Sequence, residues 1–141
     1  MRWCAVALSI GALLWASAAD AQSERRVALV IGNATYKEAP LENPVNDARA
    51  IAAKLAKLGY EVEQRENLSL REMTRAVTTF GETLRRSGGH ALFYFAGHGM
   101  QVDGRNYLIP VDAEIATENA VISEAVDVEI VPNLRRLRVR G

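Results

Sequence analysis

The segment "RVALVIGN", residues 26–33, constrains the fold of this chain more than any other. It is an unbroken apolar run, rich in β-branched residues and closed by Gly32 and Asn33. A strand without polar alternation must be covered on both faces, as in a parallel sheet with helices above and below. "NPVNDARAIAAKLAKLGYEV" follows. Pro44 suits the first position of a helix with Asn43 as its cap. Ala48, Ile51, Ala52, Leu55 and Leu58 form one apolar stripe at helical spacing. Lys54 and Lys57 sit near the negative end of the helix dipole, and Gly59 closes the helix. "YEVEQRE", residues 60–66, reads as a more polar strand at a sheet edge.

"SLREMTRAVTTFGETLRRSGG" opens with a capping box, Ser69 to Glu72. Met73, Ala76, Val77, Phe80 and Leu84 form its buried stripe, and Gly88-Gly89 ends it. "ALFYF", residues 91–95, is a third strand. Strands alternating with helices through short connections imply an α/β fold with a mainly parallel sheet. Beyond it, Asp103-Gly104 lies between two short extended runs, the two-residue turn of a small hairpin. Residues 109–134 carry weaker signals: a loop, then a short helix broken near Pro132.

The start of the chain reads differently. "MRWCAVALSIGALLWASAADAQ" has a basic residue at Arg2, an apolar run from Trp3 to Ala16, then small residues around Ala19-Asp20-Ala21. That is the layout of an export signal, residues 1–21. The apolar run falls short of the ~20 residues of a membrane-spanning helix, so no stable span is expected after cleavage. The single cysteine, Cys4, lies in this leader, so no disulfide can form in residues 22–141. Charge balances overall, with 17 basic and 17 acidic residues, which gives no sign of a nucleic-acid partner. Locally it is uneven. Six acidic residues and no Lys or Arg lie between Asp112 and Glu129, whereas the last nine residues carry four arginines.

In an open parallel sheet, sites form beyond the carboxyl ends of the strands, where successive connections leave in opposite directions. With strands two and three on either side of strand one, that crevice lies between strands one and three. His98, three residues past strand three, would then share a mouth with Asp47, in the first turn of the first helix, 51 residues earlier. Histidine suits general acid–base work because its ordinary pKa lies near neutrality. Gly97 and Gly99 let a substrate approach closely. His90 should sit at the other end of the sheet, which speaks against a metal site shared with His98. Gly97-x-Gly99 lacks the third glycine and the helix of a dinucleotide motif. No cofactor is expected.

Together, "RVALVIGNATY", "LENPVNDARAIAAKLAKLGYEV", "ALFYFAGHGMQVDGRNYLIPVDA" and "EAVDVEI" resemble the large-subunit (p20) domain of caspase-like cysteine peptidases, especially the bacterial relatives of metacaspases and paracaspases. The resemblance implies a three-layer caspase–haemoglobinase fold over residues 25–131, with 132–141 as a divergent basic tail. It implies peptide or protein substrates and a His–Cys dyad in which His98 is the histidine. The backbone N–H of Gly99 matches an oxyanion donor. Asp47 matches the acid that binds a basic side chain preceding the scissile bond. A carboxylate facing a guanidinium or ammonium supports that role on its own. A carboxylate favouring the helix dipole explains Asp47 equally well, and both readings stand.

Two departures matter. Ala96 stands where some metacaspases have a pocket serine. More seriously, no cysteine occurs among the 43 residues after His98, although the caspase histidine precedes its cysteine by ~50 residues. Ser123 has no neighbour that would activate it. The chain therefore reads as cut short or frameshifted near Pro132, inactive alone as a peptidase, with a non-catalytic peptide-binding module as the alternative. Without a fourth strand, strand three would be an apolar edge open to self-association. Mass spectrometry of exported protein should find an N-terminus at Gln22, and an intact Met1 or Arg2 in the mature species would count against an export signal.

Overall fold

A computed structural model describes residues 25–130. The leader, the basic tail and Pro132 lie outside the described residues. β1 (Arg26–Gly32) is followed by α1 (Pro44–Lys57), β2 (Glu61–Glu66), α2 (Leu70–Ser87) and β3 (His90–Ala96). The three strands form a parallel sheet in the order β2-β1-β3. The connections after β1 and β2 therefore step to opposite sides, which opens the expected crevice between β1 and β3.

β1 sorts its side chains strictly by parity. Ala28 and Val30 join Ala48, Ala52 and Leu55 of α1, with Val62, Leu92 and Tyr94 packed alongside. Val27, Leu29 and Ile31 join Met73, Ala76, Val77 and Phe80 of α2, together with Phe93. Two cores thus share one central strand, and both faces are dry. That is the three-layer α/β architecture which an apolar run without alternation demands.

Local chemistry explains the boundaries. The Ser69 side chain accepts from the Glu72 N–H while the Glu72 carboxylate accepts from the Ser69 N–H, completing the capping box at α2. Gly32 lets α1 begin close to β1. A Cβ at that position would lie 2.6 Å from the Pro44 carbonyl oxygen and 2.8 Å from the Ala48 Cβ.

Two details differ from the sequence reading. Asn43 occupies the N-cap position of α1, but its backbone is already helical and its side chain makes no capping bond. Leu58, placed by periodicity on the buried stripe, is 62% exposed. The helix ends at Lys57, and Leu58 turns out of it as the C-cap.

Past β3, β4 (Gly99–Val102) and β5 (Arg105–Leu108) form the hairpin. Asp103 and Gly104 both have positive φ, 50° and 77°, as a tight two-residue turn requires. α3 (Glu118–Glu124) follows. A further strand, β6 (Val126–Asp127), then pairs with β5. The expected hairpin is therefore a three-stranded antiparallel sheet, β4-β5-β6. Leu108 and Val126 dock it onto the α2 side of the core.

A buried polar residue helps to join the two sheets. Asn33, fully buried, accepts at Oδ1 from the Leu68 N–H (2.9 Å) and donates from Nδ2 to the Ile109 carbonyl (3.4 Å). Replacing Asn33 by Ala leaves a buried N–H unpaired, which costs about 1–3 kcal/mol. Chemical denaturation should show that loss for Asn33→Ala, and an unchanged midpoint would mean that this junction carries no stability.

Candidate active site

The loop after β1 and the loop after β3 meet at the carboxyl end of the sheet, and Tyr36 joins them. This buried tyrosine comes from the "GNATY" segment. Its hydroxyl accepts from the His98 N–H at 3.0 Å and donates to the Ile109 carbonyl at 3.0 Å. The Ile109 N–H, in turn, donates to the His98 carbonyl at 3.0 Å. His98 and Ile109 therefore continue the β4–β5 ladder by one step, with the phenol inserted into one of its two rungs. The site also depends on Gly97, because a Cβ there would lie 2.5 Å from the Tyr36 hydroxyl.

The imidazole of His98 is half-buried and lies against the Tyr36 ring, with centroids 4.5 Å apart and planes tilted by 56°. Its Nε2 is 2.7 Å from the Ala39 carbonyl oxygen. A carbonyl can only accept, so Nε2 carries a proton and Nδ1 is the ring nitrogen not engaged by that contact. Backbone, ring plane and tautomer of His98 are thus all set by the β1–α1 loop.

Gly99 pairs with Leu108. Because the neighbouring pair, His98 with Ile109, is the hydrogen-bonding one, the alternation of an antiparallel ladder turns the Gly99 N–H away from β5. It points to the side of β4 that has no strand among the described residues.

Asp47 is exposed in the first turn of α1, at the same end of the sheet. The hydrogen bonds of His98 run to Tyr36, Ala39 and Ile109, not to Asp47. Asp47 lies near enough to Tyr94 for its charge to act there: burial pushes the Tyr94 hydroxyl up from its usual pKa, and the Asp47 carboxylate adds to that rise.

His90 is at the start of β3, opposite Arg26, at the far end of the sheet from His98. Ser123 donates to the Ala120 carbonyl within α3. Among the described residues no cluster of three or more His, Cys, Asp or Glu side chains could hold a metal ion. No helix among them is long and apolar enough to cross a membrane.

Tyr36, Asn33 and the Ala39 carbonyl were not singled out from the sequence. A tyrosine after a strand is an ordinary loop residue until its partner, 62 residues on, is known. The Ala39 contribution is a main-chain atom and leaves no side-chain signal.

A three-layer α/β domain built on a parallel sheet with strand order β2-β1-β3 is consistent with the caspase class of folds. The caspase domain model matches residues 25–137, and the chain belongs to that family. It is 38% identical over 89 residues to human mucosa-associated lymphoid tissue lymphoma translocation protein 1. The mouse homologue of that protein matches at the same identity over the same length. The match covers 62% of this chain but 11% of each relative, so the chain spans a small part of the proteins it resembles.

Burial pushes the Tyr36 hydroxyl up to about 12 from its ordinary 10, the largest of the effects upon it. Between those values the unfolded chain releases the proton while the folded chain keeps it, so stability falls as pH rises. Denaturation midpoints followed from neutral into alkaline solution should decline less steeply for Tyr36→Phe than for the parent. Equal slopes would show that this hydroxyl ionises alike in both states.

Proposed function

We propose that this chain carries the histidine half of a cysteine endopeptidase site that cleaves peptide bonds after basic residues. The observation that most supports this reading is the orientation of His98, with Nε2 held by the Ala39 carbonyl and Nδ1 left free at the mouth of the crevice. In the complete dyad a thiolate attacks the scissile carbonyl. The Gly99 N–H stabilises the developing oxyanion. The imidazolium passes its proton to the leaving amine, and the neutral ring then takes one from the water that hydrolyses the acyl-enzyme. Asp47, exposed at the same end of the sheet, supplies a negative charge for an arginine or lysine side chain preceding the cleaved bond. The leader supports action outside the cytoplasm.

The only thiol in the sequence, Cys4, precedes the domain. The 141-residue chain by itself is therefore proposed to be silent as a peptidase. The same observation favours a second reading, a caspase-like module that binds basic peptides without cutting them.

A fluorogenic peptide panel tests both. The chain as it stands should give no cleavage above background. Adding a fourth strand that ends in Asp-Ala-Cys should create activity that His98→Ala abolishes. In that restored enzyme Asp47→Ala should lower specificity for basic substrates roughly tenfold to a hundredfold, the effect of one charge-assisted contact. Robust cleavage by the unaltered chain would refute the assignment of the nucleophile, and an unchanged preference in Asp47→Ala would return Asp47 to its role at a helix start. Retention of basic peptides by the uncut chain, lost in Asp47→Ala, together with no activity on restoration, would favour the module.

A further inference from the structure

β2 forms the edge of the parallel sheet opposite β3 among the described residues. Its outward-facing backbone groups can be assigned. The Asn67 N–H donates to the Gly32 carbonyl, so odd-numbered residues of this stretch turn their N–H and C=O toward β1. Val62, Gln64 and Glu66 consequently turn theirs outward.

The side chains on this edge are charged, and charge on an edge strand commonly serves to repel other chains. Here every glutamate of the strand is already balanced. Glu61 pairs with Arg25 at 2.7 Å, Glu66 with Arg49 at 2.8 Å, and Glu63 with Arg65 at 2.9 Å. An edge meant to repel would carry one uncompensated sign. This one is neutral along its length, and its acid and base at 63 and 65 flank Gln64 symmetrically.

That symmetry has a consequence under a two-fold axis. An antiparallel partner centred on Gln64 sets Gln64 against its own copy and Val62 against the copy's Glu66, so the outward groups meet in hydrogen-bonding pairs. The intervening non-hydrogen-bonding pairs, where side chains come closest, then set Glu63 against Arg65 twice. Centring on Val62 instead opposes Glu61 to Glu63, and centring on Glu66 leaves Arg65 facing Asn67. Only the register on Gln64 satisfies both ladder and charge.

The face that carries Glu63 and Arg65 is also open. A cavity of about 430 Å³ lies beside them, bounded by Leu68, Ala76 and the α2 side chains Glu72, Arg75 and Thr79. The helix on this side does not cover β2.

We infer that β2 is a self-recognition edge: a second copy of this chain adds antiparallel across it, centred on Gln64, to form a continuous six-stranded sheet. This goes beyond the peptidase reading and does not depend on it.

Sedimentation equilibrium on the full chain over a concentration series tests the inference, with circular dichroism to confirm folding of each variant. The parent should show a monomer–dimer equilibrium that weakens with added salt. Glu63→Arg and Arg65→Glu should each be monomeric, because each opposes like charges. An equimolar mixture of the two should dimerise, since each restores the other's missing partner. Gln64→Pro should also be monomeric yet folded, because the N–H it removes faces outward and takes no part in the β1 ladder. A parent that stays monomeric at all concentrations would overturn the inference. So would a dimer that persists in both Gln64→Pro and Glu63→Arg, which would belong to another surface such as the β3 edge.

Discussion

The carbonyl of Ile109 is the point on which the two halves of this domain depend. It accepts one hydrogen bond from Asn33 and another from Tyr36, both from the segment just after β1. The parallel sheet and the antiparallel sheet have no strand in common, and a seam between two sheets leaves polar backbone groups buried without ladder partners. Asn33 and Tyr36 provide those partners. Without them the hairpin would still form locally, but its position above the core would rest on the hydrogen bonds farther along, from the Val111 N–H to the Leu68 carbonyl and from the Leu70 N–H to the Asp112 carboxylate. Because His98 lies at the root of that hairpin, its placement follows from this seam.

The sharing of β1 between two cores adds a second constraint. Val27, Leu29 and Ile31 face α2, while Ala28 and Val30 face α1. The residues toward α1 include the small Ala28, met by Ala48 and Ala52, so α1 lies close to the strand. The closeness of Gly32 to Pro44 belongs to the same approach. α1 therefore projects its first turn, with Asp47, at the carboxyl end of the sheet rather than out over solvent. A bulkier strand would lift the helix and carry Asp47 away from Tyr94.

The sheet was legible because its signals are local and redundant. An apolar run without alternation, two helical stripes and a capping box each arise within a few residues, and they agree. The Asp103-Gly104 turn was legible for the same reason. Leu58 misled because periodicity continues through a helix end that only backbone geometry reveals. Asn43 misled because proline at the first helical position sets the entry without needing a side-chain cap. β6 is two residues long and exists through its pairing with Tyr107 and Leu108, about twenty residues earlier. Of the candidate site, the placement of His98 and Asp47 at the carboxyl end of the sheet was legible from the strand order. The residues that hold His98 were not, because their contacts span 59 to 73 positions.

The Ala39 carbonyl differs from the other groups around His98 in one respect. It belongs to the main chain, so no exchange of one side chain for another deletes it. A search by substitution, whether in the laboratory or over evolutionary time, would meet the histidine and pass over its partner. Residues 37–40 are consequently free to diverge in character while the path of their backbone stays fixed. Two members of such a family can share this orienting contact without sharing a single letter there, and only a superposition of their chains would reveal what they have in common.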